Sequence, residues 1–167
     1  MHHPAALPPE QLLKDCQLRL TRRSGPGGQH RNKVETAVVL LHRPTGVRAE
    51  AAERRSQAEN RRVALFRLRL KLALETRAER AADEPPSPLW QSRCAGGRIS
   101  VAASHADFPA LLAEALDTLS AHAMDPKQAA AALGCNVSQL VKLLKKEPRA
   151  LAKVNRHRQE KGLRPLQ

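Results

Sequence analysis

Three prolines in four positions, Pro85, Pro86 and Pro88, sit near the middle of the 167-residue chain. A proline lacks the amide N–H and biases the residue before it away from the helical region, so no regular helix can run through this point. The segment therefore reads as a linker over 83–97 that divides the chain into a domain over 1–82 and a second over 98–167. The two parts differ in charge. Residues 1–82 carry 17 basic and 8 acidic side chains, and residues 83–167 carry 12 and 8. Aromatic residues make up only 2% of the chain, so the core must be built from Leu, Val and Ala.

In the first part, Pro9–Lys14 suits a short helix. Cys16–Thr21 alternates apolar and polar residues as a strand does, and residues 24–33 are too polar and glycine-rich for anything but a loop. Thr36–His42 is β-branched and apolar, Pro44-Thr45-Gly46 is a turn, and Val47–Ala51 can return as a third strand. Ser56-Gln57-Ala58-Glu59 has the form of a helix-opening capping box. The spacing of Val63, Phe66, Leu70 and Leu74, widened by Leu65, Leu68 and Leu72, predicts a long helix to about Arg80. The second part reads as mainly helical after a short extended piece at Arg98–Ala102. Helices are expected over 108–122, with Asp107 and Pro109 at its start, over 127–133 and over 138–146, and a last one from Pro148 to near Gly162. The fold class is thus α+β: a small sheet covered by a long helix, followed by a small, mainly helical domain. Ala129–Gly134, a break and Ser138–Lys142 give that domain helix-turn-helix order.

The net charge of +13, from 29 Lys and Arg against 16 Asp and Glu, sets up a field that favours a polyanionic partner. No apolar run approaches the roughly 18 residues that a membrane span needs, and no basic-then-apolar leader opens the sequence, so a cytoplasmic protein without a membrane partner is expected. Cys16, Cys94 and Cys135 form no Cys-x-x-Cys pair, and the seven histidines form no His-x-x-x-His pattern, so neither a metal nor another cofactor is expected.

The most informative segment is Arg23-Ser24-Gly25-Pro26-Gly27-Gly28-Gln29-His30-Arg31-Asn32-Lys33. A phosphate-cradling loop of the P-loop type would end in Gly-Lys-Ser/Thr, and Lys33 follows Asn32 instead. No Gly-x-Gly-x-x-Gly is present either. Glycines allow close approach of backbone to a partner, and Arg22, Arg23, Arg31 and Lys33 surround them with positive charge. The loop holds no carboxylate and a single histidine, so catalysis there must rest on positioning and electrostatics more than on acid–base groups.

This chain resembles the class-I peptide chain release factor family in its Gly-Gly-Gln catalytic domain. The similarity runs from Arg23 to about Leu74, through Gly25–His30, Asn32–Val38, His42–Gly46, Arg55-Ser56-Gln57 and Asn60-Arg61. Arg31 stands where the family usually has Val. The resemblance implies a peptidyl-tRNA hydrolase acting on the ribosome. Gly27, Gly28 and Gln29 would be catalytic, with the Gln29 amide N–H stabilising developing charge and its side chain restricting the nucleophile. It also implies N5-methylation of Gln29 by a glutamine methyltransferase.

The partners implied are large-subunit ribosomal RNA and the peptidyl-tRNA of the P site. Arg22, Arg23, His30, Arg31, Asn32, Lys33, Arg55 and Arg61 are candidate RNA contacts. The early start of the catalytic domain, by about residue 16, leaves no room for codon-reading domains, which points to short, codon-independent ribosome rescue factors. Those often carry a basic tail that lies in the mRNA channel. Residues 142–167, with nine basic and two acidic side chains, suit such a tail or other RNA. Lys142, Lys145, Lys146, Arg156 and Arg158 are its candidate contacts. The competing reading is a nucleic-acid-binding regulator that uses the helix-turn-helix. An intact Gly-Gly-Gln favours the enzyme, since a pure binder has no need of it. A release factor that meets a stop codon through a partner protein is a third, weaker reading.

Overall fold

The computed structural model describes residues 3–22 and 36–167, and its architecture is α+β. Helix α1 (Pro9–Lys14) leads into a three-stranded antiparallel sheet in the order β1 (Cys16–Thr21), β2 (Ala37–His42), β3 (Arg48–Ala51). The register pairs Cys16 with His42 at one end and Thr21 with Ala37 at the other. Val38 pairs with Ala51 and Leu41 with Arg48 on the far side of β2. The three predicted strands thus stand within one residue of their expected limits. The turn after β2 is closed by two backbone bonds, Gly46 N–H to His42 and His42 N–H to Val47. Gly46 has φ +71°, a left-handed conformation that costs least without a Cβ. Arg43 leaves this turn to cap α1, donating to the carbonyls of Lys14 and Asp15.

Helix α2 (Gln57–Glu75) covers the sheet. The Ser56 hydroxyl accepts the Glu59 N–H, as the capping pattern predicted. Its buried line is Asn60, Ala64, Leu68 and Leu72, at spacings of four. Val63, Phe66 and Leu70 flank that line and are only half-buried, so the centre of the apolar face lies one position away from the predicted stripe. The helix also stops at Glu75 rather than near Arg80. Thr76 is extended, and its hydroxyl and N–H both bond the Leu72 carbonyl. His3 holds it there: the ring Nδ1 accepts the Ala5 N–H, so Nε2–H donates to Thr76. Two cations of α2 reach the free edge of β3. Arg67 donates to the Glu50 carbonyl and Lys71 to the Arg48 carbonyl, which closes an otherwise open sheet edge.

The second half contains α3 (Pro88–Arg93), the two-stranded hairpin β4 (Cys94–Ala95) and β5 (Arg98–Ile99), α4 (Phe108–Ala121), α5 (Pro126–Ala132), α6 (Val137–Lys145) and α7 (Pro148–Glu160). The segment expected to be a linker over 83–97 is pinned in place. Pro88 opens α3 at a position where its missing N–H costs nothing. The Glu114 carboxylate accepts from the Ser87 N–H at 2.7 Å, from its hydroxyl at 2.5 Å and from Arg80. Trp90 is fully buried and donates its indole N–H to the Leu133 carbonyl.

Helix α4 is apolar almost all round and packs against α2, so one core runs from Ala5 to Val154. Asp107 occupies the position before α4, but its carboxylate pairs with Arg93 at 2.6 Å instead of capping the helix. Helices α5 and α6 begin at Asp125 and Asn136, whose side chains accept first-turn N–H groups, and Gly134 makes the turn between them at φ +64°. Residues 142–160 belong to folded helices whose Leu143, Leu144, Ala150 and Val154 enter the core, so this basic segment is not an extended tail.

Candidate nucleic-acid interface

Arg23, Gly27, Gly28, Gln29, His30, Arg31, Asn32 and Lys33 lie outside the described residues. The residues on either side of them form the base of this connection. Thr21 and Ala37 form the last rung of the β1–β2 ladder, and residues 22–36 connect them. β3 ends at Ala51 beside Val38, and α2 begins a few residues later, so the start of the helix stands at the same end of the molecule. The free N–H groups of that first turn give it partial positive character.

Asn60 ties these parts together. It is fully buried, yet all of its amide is used: Nδ2 donates to the Thr36 carbonyl at 2.7 Å and to the Arg54 carbonyl at 2.9 Å, and Oδ1 accepts the Arg54 N–H at 2.9 Å. One side chain thus fixes the returning end of the loop connection against the turn before α2. A hydrocarbon side chain would leave three backbone groups without partners.

Around this clamp the charge is basic. Arg22, Arg54, Arg55, Arg61 and Arg62 are all exposed. Arg22, Arg55 and Arg61 were expected here from the sequence. Arg54 and Arg62, each adjoining an arginine that was singled out, add to the same exposed charge. The hydrogen bonds of Asn60 were not foreseen, because an asparagine within a helix gives no local sign of its distant partner.

The positions at the other end of the chain divide. Lys142 and Lys145 are exposed on α6, and Arg156 is exposed on α7. Lys146 is half-buried, with its ammonium donating to the Val101 carbonyl. Arg158 must be withdrawn from the RNA-contacting set. It is 9% exposed, and its guanidinium donates to the carbonyls of Arg164 and Met124. The Met124 carbonyl belongs to a tight turn in which Ala123 and Met124 both have positive φ. A guanidinium can satisfy several carbonyls at once without deprotonating, which suits it to this place.

Several further cations serve the fold. Arg69 donates to the carbonyls of Ala5 and Ala106, Lys153 donates to that of Leu74, and Arg77 pairs with Asp117 at 3.1 Å. Burial pushes the Asp117 carboxyl up to about 6, against the pull of Arg77. The second half is therefore fastened to the later turns of α2, whereas the loop's base sits at its first turn. Nineteen residues of helix span about 28 Å.

Residues 11–98 match the RF-1 domain family. The chain is 46% identical over 70 residues to the chloroplastic peptide chain release factor PrfB1 of Arabidopsis thaliana, a match covering 42% of this chain and 15% of that protein. It is 44% identical over 70 residues to peptide chain release factor 1 of Paracidovorax citrulli, covering 42% and 19%. It is 41% identical over 71 residues to peptide chain release factor 2 of Frankia casuarinae, again covering 42% and 19%. The chain thus spans less than 20% of the length of these relatives.

Proposed function

The chain belongs to the class-I peptide chain release factor family, and on that premise we propose that it hydrolyses the peptidyl-tRNA ester on the ribosome without reading a codon. The observation that carries this is the Gly27-Gly28-Gln29 sequence inside the family match, on a connection whose returning end is clamped by Asn60 and ringed by arginines. The described residues of that base offer nothing like a nucleophile–base pair, which fits a reaction driven by positioning.

In this reading the water oxygen bonds to the ester carbonyl carbon while the bond to the ribose oxygen of the terminal adenosine breaks. The water proton passes to that ribose oxygen through RNA hydroxyls. The Gln29 amide N–H stabilises the charge that develops, the kind of donor whose removal costs about 10²–10³ in rate elsewhere. The Gln29 side chain sets the room available to the nucleophile, and its N5-methylation by a glutamine methyltransferase belongs to the same proposal. Arg22, Arg23, Arg31, Lys33, Arg55 and Arg61, with Arg54 and Arg62, meet the phosphates of large-subunit RNA and of the P-site tRNA.

Residues 11–98 carry the family match, and a basic helical half follows them. That half takes the place of the expected mRNA-channel tail as a folded unit. The cytoplasm, or an organelle matrix with ribosomes of its own, is the compartment this activity requires. No helix among the described residues is long and apolar enough to cross a membrane. The test is peptide release from ribosomes programmed with an empty A site, a sense codon or a stop codon. Equal release from all three is expected, and release confined to stop codons would overturn the codon-independent reading.

A further inference from the structure

A second basic surface lies in the other half of the molecule. The chain from Arg98 to Ala102 and the face of α6 enclose an open groove of about 440 Å³, lined by Arg98, Ser100, Gln139, Lys142 and Lys146 among others. No carboxylate lines it. Arg98 and Lys142 are exposed, and neither side chain has a partner among the described residues. The Lys146 ammonium is fixed in the groove wall by the Val101 carbonyl. Lys145 stands exposed beside it on α6. Several other cations among the described residues do have counter-charges: Arg67 pairs with Glu53, Arg77 with Asp117, Arg93 with Asp107 and Arg149 with Glu147. Like charges held around one concavity without counter-charges repel each other, and an anion seated there removes that cost.

We infer that this groove is a second RNA-binding site, in which Arg98, Lys142 and Lys146 receive the phosphodiester backbone. No aromatic side chain lines the groove, so it has no platform on which bases could stack, and it follows the backbone without reading sequence. The contact is built on α6, the second helix of the α5–turn–α6 pair, with the β4–β5 hairpin beside it. Choice of RNA over DNA rests on the release-factor reading. The site itself rests on the groove alone. This half is attached to the later turns of α2, so the groove is a surface separate from the arginines around the first turn of that helix.

Binding is measured on the whole chain without ribosomes, against a short uridine homopolymer RNA and a duplex DNA, over a range of salt. Arg98→Glu/Lys142→Glu is compared with Lys127→Glu, an exposed lysine of α5 that does not line the groove. The groove variant should bind RNA roughly tenfold or more weakly, with a salt slope shallower by about 1.4, as two lost contacts to a single strand require. Lys127→Glu should bind as the wild type does, and the melting temperatures of both variants should stay near wild type. An unchanged slope in the groove variant, or an equal loss in Lys127→Glu, would overturn the site. Tighter binding of the duplex DNA than of RNA would overturn the assignment to RNA. Failure of the release reading would appear separately, in turnover by Gln29 variants, and would leave this binding measurement standing.

Discussion

Asn60 and Thr36 are 24 residues apart in sequence and joined by a 2.7 Å hydrogen bond from the buried amide of the first to the backbone carbonyl of the second. The same amide holds both backbone groups of Arg54. Asn60→Ala should cost about 2–4 kcal/mol, since three buried or half-buried backbone groups lose their partner at once. Asn60→Asp should be no better, because a carboxylate cannot donate to either carbonyl. Denaturant unfolding measures the stability. Peptide release by the folded fraction should fall further than ribosome affinity does, and a release rate unchanged per folded molecule would remove Asn60 from the positioning of the loop.

Gln29→Ala should slow release at saturating protein by about tenfold, and Gly28→Ala by about a hundredfold or more, if the reaction uses backbone torsions that a Cβ opposes. Both variants should bind stalled ribosomes nearly as well as the wild type. Single-turnover release separates the two quantities. Wild-type rates in both would sink the catalytic assignment.

His3 gives a prediction for acid. Burial lowers its pKa from 6.5 to about 4, and the neutral ring is the form that accepts the Ala5 N–H. Between those values the unfolded chain binds more protons than the folded one. The contribution of His3 is thus complete above pH 6.5 and lost as pH falls towards 4, amounting to roughly 3 kcal/mol. Asp117, raised by burial from 3.8 to about 6, acts in the opposite sense, since the folded chain then binds the extra proton. Comparison of wild type with His3→Gln isolates the first effect. The stability gap should narrow from pH 7 to pH 4, and a gap independent of pH would show that the ring does not titrate as described.

Arg156 and Arg158 lie two residues apart on α7 and should behave differently. Arg158→Ala removes the donor to the Arg164 and Met124 carbonyls and should cost about 2–3 kcal/mol. Arg156→Ala, at an exposed position, should change stability by less than about 0.5 kcal/mol. Thermal melts of the two variants decide the matter, and equal melting temperatures would refute the buried role of Arg158.

Removal of residues 142–167 should unfold the second half, because Leu143, Leu144, Ala150 and Val154 are core residues and Lys153 bonds the Leu74 carbonyl. Loss of cooperative unfolding and a fall in helical circular dichroism beyond the excised residues are expected. A truncated chain that melts as the wild type does would restore the view of this segment as a detachable tail.

What the amino-acid sequence determined on its own was local. The strand limits of Cys16–Thr21, the turn at Pro44-Thr45-Gly46, the Ser56 cap and the breaks at Gly134 and Pro148 depend on φ preferences, capping hydroxyls and alternation within a few neighbouring residues. The Gly27-Gly28-Gln29 motif was legible through the resemblance of this segment to the release-factor family. Tertiary structure decided which cations face solvent and which hold the fold. Arg158 and Arg156 look alike in sequence, as do Lys71 and Lys142, yet one of each pair donates to a distant carbonyl. It also ended α2 at Thr76, through a histidine 73 residues earlier, and turned the proline segment from a spacer into a pinned connection by way of Glu114. Such choices depend on donors and acceptors that meet only when the chain has closed, and no local pattern of residue types records where a remote carbonyl will lie.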